Sequence, residues 1–97
     1  MTSEERINIS NLAIQTYGVR QQLNHTIEEL AELTVEVSKN IRGFQNRDKI
    51  IEEMADVLNC LQYLVIILDI DKAELDIMMN YKLRRTKKII EELQGGK

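Results

Sequence analysis

The chain has no proline, no tryptophan, one phenylalanine, one histidine and one cysteine in 97 residues. Without proline, the strongest helix breaker is missing. Glycine occurs at only four positions, Gly18, Gly43 and the tail pair Gly95–Gly96, so the interior is punctuated at two points. A lone Cys60 excludes an intramolecular disulfide, and its apolar neighbours point to a buried structural thiol. A lone His25 with no cysteine nearby argues against zinc. No Ser–His or Cys–His arrangement supports nucleophilic catalysis, and there is no Gly-rich phosphate loop. Positive charge is not in excess: the formal net charge is −3, so a nucleic acid polymer is not the expected partner. The segment MTSEERINIS lacks a basic stretch followed by an apolar one, so no signal peptide is expected. The apolar run Val57 to Ile70 is too short and too interrupted to span a bilayer easily. The expectation is a cytoplasmic protein with no membrane partner.

What is present is Glu, Lys, Leu and Ile, a composition that favours an all-α fold. The length suits one domain, residues 1–97, with a modest core. Four helices follow from periodicity and punctuation. The first starts after Ser3 as N-cap and stops at Gly18. The second runs from Val19 or Arg20 to Lys39, with Leu23, Ile27, Leu30, Thr34 and Val37 as its core-facing stripe. A loop, Asn40 to Asn46, carries Gly43. The third helix runs from Arg47 or Asp48 to Leu68 and presents Leu58, Leu61, Val65 and Leu68 on one face. Ile66 and Ile67 fall outside that face, so the helix is apolar on most sides and needs cover on most sides. The fourth is capped by Asp71 and runs from Lys72 to about Leu93. Leu75, Met78, Met79, Leu83, Ile89, Ile90 and Leu93 are its apolar positions, and a frayed tail is expected from about residue 94. The circumference of the third helix predicts a homo-oligomer, a homodimer or homotetramer, with Leu61, Leu64, Ile67 and Leu68 near the interface.

The acids are arranged with a period. Glu29, Glu32 and Glu36 share one face of the second helix, and Glu28–Glu32 and Glu32–Glu36 are like-charge i, i+4 pairs that destabilise a bare helix. Glu53 and Asp56 repeat the i, i+3 spacing on the third. Antiparallel packing through the Asn40–Asn46 loop would bring Glu29, Glu32, Glu53 and Asp56 to one level, with Glu36 as an accessory. Four hard oxygen donors there suit Mg²⁺ or Mn²⁺. A solvated acidic face is the competing reading, since Glu is usually exposed and acids are favoured near a helix N-terminus. Lys82 and Arg85, three apart on the fourth helix, can meet phosphate oxygens or form a solvated basic face.

EELAEL at Glu28–Leu33 and, after a short Gly-containing loop, EEMADVL at Glu52–Leu58 resemble the MazG-like, all-α nucleoside triphosphate pyrophosphohydrolases. The signature of that family, ExxE followed by ExxD, reads here as Glu29, Glu32, Glu53 and Asp56. The segments YGVRQQLNHTIEELAEL and MMNYKLRRT look like those of short, single-domain bacterial and phage members, so the resemblance covers about Tyr17 to Thr86. It implies a four-helix MazG-like bundle completed by homo-oligomerisation. It also implies Mg²⁺-dependent cleavage of a nucleoside triphosphate to the monophosphate and pyrophosphate, with Glu32 or Glu29 accepting the proton of the attacking water. Asn80, Lys82 and Arg85 resemble phosphate-side positions, and Gln22 and Asn24 base-side positions. Two alternatives stay open: a related phosphoribosyl-ATP pyrophosphohydrolase, and a non-catalytic helical interaction protein that kept the fold.

Overall fold

A computed structural model describes residues 1–95. Every element among them is a helix: α1 Ser3–Tyr17, α2 Val19–Ile41, α3 Arg47–Ile67 and α4 Lys72–Gly95. The all-α expectation holds. Thr2, not Ser3, caps α1, its hydroxyl accepting a hydrogen bond from the Glu5 amide at 3.1 Å. Gly18, at φ 89°, separates α1 from α2. The α4 helix continues through Gln94 and Gly95, so two residues expected to fray are helical. Gly96 and Lys97, the rest of that tail, lie outside the described residues.

Two helix ends close with paired reverse hydrogen bonds. At the end of α2, Phe44 N donates to Lys39 O at 3.1 Å and Gly43 N to Asn40 O at 3.0 Å. Gly43 sits at φ 96°, the left-handed position that this Schellman closure requires. At the end of α3, Ile70 N donates to Val65 O at 2.9 Å and Asp69 N to Ile66 O at 3.2 Å. Asp69 supplies the left-handed residue there, at φ 51°, a conformation Asp tolerates better than most. Asp71 then caps α4, its carboxylate accepting from Ala73 N at 2.9 Å.

Packing joins α1, α2 and α3, with α2 against α3 as the principal seam, whereas α4 makes no more than a marginal contact with the rest. A single chain therefore does not close a four-helix bundle. All described residues of α4 are exposed. The radius of gyration is 17.2 Å, against about 13 Å for a compact domain of this length. The accessible surface is 8032 Å², against about 5,700 Å² for a compact chain of this mass.

The seam is polar. Gln22, Thr26, Glu29, Glu36 and Glu53 are buried, with Val57 and Cys60 as the buried apolar side chains. Cys60 is buried, as its surroundings suggested. Most of the α2 stripe expected to face the core does not face it within the chain: Leu23 is half-buried, but Ile27 is 65% and Leu30 44% exposed, and Thr34 and Val37 are exposed as well. The neighbouring acid-bearing face turns to α3 in its place. On α3, Met54, Leu58, Leu61 and Leu68 are likewise exposed, while Leu64 and Ile67 are half-buried. Among the described residues no helix is long and apolar enough to cross a membrane.

Candidate metal centre

The register of α2 against α3 is held at the loop. Asn46 Nδ2 donates to both the Glu36 carbonyl and Glu36 Oε1, each at 2.9 Å. Lys39 Nζ lies 3.4 Å from Glu36 Oε2. The Asn46 hydrogen bond is the main reason the Glu36 carboxyl is held below its ordinary pKa, with Lys39 assisting against the opposing effect of burial. Glu36 is thus tied to the loop, not free as an accessory ligand.

Two turns further up the seam, Glu29, Glu53 and Asp56 each bring a carboxylate oxygen within 4.8 Å of the others. Their i, i+3 spacing on α3 and the antiparallel return of the chain put them at one level, as the sequence suggests. Glu29 is 8% and Glu53 3% exposed. Among the described residues, Glu29 Oε2 and Glu53 Oε2 are buried without a hydrogen-bond partner. Burying an unpaired carboxylate oxygen is costly. The Glu29 carboxyl is accordingly pushed from 4.5 to about 7, first by burial and then by the charges of Glu32 and Asp56. His25 Nδ1, one turn back at 3.7 Å from Glu29 Oε1, partly offsets that rise.

Glu32 is not in the trio. It is exposed and lines a cleft of about 290 Å³ with Val35, Glu36, Lys49 and Glu53. Lys49 Nζ reaches Glu53 Oε1 at 3.3 Å and Glu52 Oε1 at 3.5 Å. On the other side of the trio a larger cleft, about 480 Å³, is lined by Tyr17, Gln21, Gln22, Asn24, His25 and Tyr63, among others. Its volume falls in the range of small-molecule sites. Gln22 and Asn24, expected on the base side, both line this cleft. Gln22 is buried, and its Nε2 donates to Ala13 O at 3.4 Å, which joins α2 to α1. Burial raises the pKa of the Tyr63 hydroxyl above its ordinary value.

Asn80, Lys82 and Arg85 lie on α4, exposed, and this chain does not bring them to its own α2–α3 seam. The sequence reading overlooked His25 and Lys49 as neighbours of the acids. The signal was available: each lies four residues before a cluster glutamate, Glu29 and Glu53 respectively, so it shares that residue's helix face. No family model, curated protein or solved structure matches the chain.

Proposed function

We propose that the chain is a Mg²⁺-dependent nucleoside triphosphate pyrophosphohydrolase of the MazG-like kind. The observation that carries this reading is the pair of buried, unpartnered carboxylate oxygens, on Glu29 and Glu53, within a three-acid cluster. Neutral hydrogen-bond donors would serve a structural carboxylate; a cluster this acidic calls for a cation. Its oxygen-only donors suit a hard divalent ion, Mg²⁺ or Mn²⁺. Glu29, Glu53 and Asp56 would hold it. Bound there, such an ion supplies Lewis-acid polarisation and charge neutralisation for a phosphate chain.

The protein's own groups supply the rest. The Tyr17–Tyr63 cleft takes the nucleoside, with the carboxamides of Gln22 and Asn24 at its polar wall. Water attacks the α-phosphorus, the bond from that phosphorus to the α,β-bridging oxygen breaks, and pyrophosphate departs with the electron pair. The Glu32 carboxylate, exposed beside the cluster, accepts the proton of the attacking water. Lys82 and Arg85 neutralise phosphate charge, and because α4 stands away from this chain's seam they do so in a second copy. A homodimer or homotetramer is part of the proposal. The accessible surface exceeds that of a compact chain by roughly 2,300 Å², well above the ~800 Å² per partner of a standard interface.

The test is a panel of ribo- and deoxynucleoside triphosphates with Mg²⁺ or Mn²⁺, with the products identified. Pyrophosphate and a monophosphate are expected from at least one substrate. Orthophosphate as the primary product would contradict the reading. No turnover anywhere on the panel would leave a non-catalytic helical partner protein as the better account.

A further inference from the structure

Two clefts flank the acid cluster along the α2–α3 seam. The larger lies towards Tyr63, on the side of Gln22 and His25. The smaller lies towards the loop and contains Lys49, Glu32 and Glu53. Lys49 is the basic side chain of that smaller cleft, and its ammonium lies 3.3 Å from the buried Glu53. It is half exposed, and its four-carbon stem leaves the ammonium free to swing between partners. Any divalent ion that takes the Glu53 carboxylate must compete with this ammonium.

We propose that Lys49 is a two-position cation. It neutralises Glu53 while the cluster holds no metal, and it turns to the β- and γ-phosphates once a metal ion has taken Glu53. The proposal rests on the pyrophosphohydrolase reading and deepens it by assigning a direction to the substrate. The nucleoside lies at the Tyr63 end and the departing pyrophosphate at the Lys49 end. Lys49 is then a residue of the leaving-group subsite, and the competition it offers keeps the cluster from binding metal tightly until phosphate is present.

The test begins without nucleotide. Mn²⁺ binding to the intact protein is measured by calorimetry or by the electron paramagnetic resonance of free Mn²⁺, for wild type, Lys49→Met and Lys49→Arg. Removing a unit charge about one ion-pair distance from a ligand should tighten Mn²⁺ binding roughly tenfold in Lys49→Met, on a water-like dielectric. Lys49→Arg should stay near wild type. Pyrophosphate is then titrated as a product ligand at saturating Mn²⁺. Lys49→Met should bind it roughly tenfold more weakly, with Lys49→Arg restoring most of the loss. Mn²⁺ affinity unchanged or weakened in Lys49→Met, or unchanged pyrophosphate affinity, overturns the proposal. If those results come with normal turnover, the enzymatic reading stands and only the role of Lys49 fails. A wild-type protein that binds no Mn²⁺ overturns both.

Discussion

Replacing Glu29 by Gln removes one ionisable group from the most crowded part of the seam and leaves its shape unchanged. In the metal-free protein the Glu29 carboxyl has its pKa raised from 4.5 to about 7. A carboxyl with a raised folded pKa binds more protons in the folded state than in the unfolded state. Its neutral form therefore contributes stability that is full below about 4.5 and is lost as pH rises through about 7. The whole rise corresponds to at most about 3 kcal/mol, and solvent screening near the cleft leaves about 1–2 kcal/mol. Glu29→Gln has no proton to lose. In EDTA at pH 8 it should melt roughly 5–10 °C above wild type, and at pH 5 the gap should shrink to a small fraction of that. Mg²⁺ should reverse the order at pH 8, because wild type regains stability by binding the ion and the variant has lost a ligand. Thermal melts monitored by far-ultraviolet circular dichroism at the two pH values, with and without Mg²⁺, give all four comparisons. A variant less stable than wild type at pH 8 in EDTA, or a difference independent of pH, would refute this account of Glu29.

Glu32→Gln should lower turnover by about a hundredfold or more, the usual cost of losing a general base, with helicity near wild type and Mn²⁺ binding weakened by no more than the loss of one neighbouring charge; a variant of normal rate removes Glu32 from the chemistry. Asn46→Ala takes both hydrogen bonds from Glu36 and should lower Tm by roughly 5 °C at neutral pH. That deficit should shrink in acid, because a carboxyl with a lowered folded pKa contributes above its unfolded value and loses the contribution as pH falls through the folded one. Multi-angle light scattering should give the mass of a dimer or tetramer, and Leu61→Glu, on an exposed apolar face of α3, should dissociate it; a stable wild-type monomer at micromolar concentration refutes the assembly.

The helices were legible because their ends carry chemistry that does not depend on tertiary context. Gly18 and Gly43 occupy left-handed positions that almost any other residue would resist, and the Asp71 carboxylate caps α4 locally. The convergence of Glu29, Glu53 and Asp56 was legible for a related reason: i, i+3 spacing fixes a face, and a short loop fixes the return. The facing of α2 was not legible. That helix carries two adjacent stripes of helical period, one apolar through Ile27, Leu30 and Val37 and one polar through Gln22, Thr26, Glu29 and Glu36. The rule that apolar residues turn inward selects the first, whereas the chain packs on the second. Periodicity identifies a stripe but not what it packs against, and the same limit hid the isolation of α4. Lys49 was missed because a lysine four residues before a glutamate ordinarily marks a surface pair; only the burial of Glu53 makes it more than that.

The most direct measurement of the proposed chemistry is hydrolysis of an active nucleoside triphosphate in ¹⁸O-labelled water with Mg²⁺, with the products resolved by mass spectrometry. Attack at the α-phosphorus places one labelled oxygen in the nucleoside monophosphate and leaves pyrophosphate unlabelled, and Glu53→Gln should abolish both products. Label in the pyrophosphate, label in released orthophosphate, or equal turnover by the Glu53→Gln variant would contradict a pyrophosphohydrolase site built on these carboxylates.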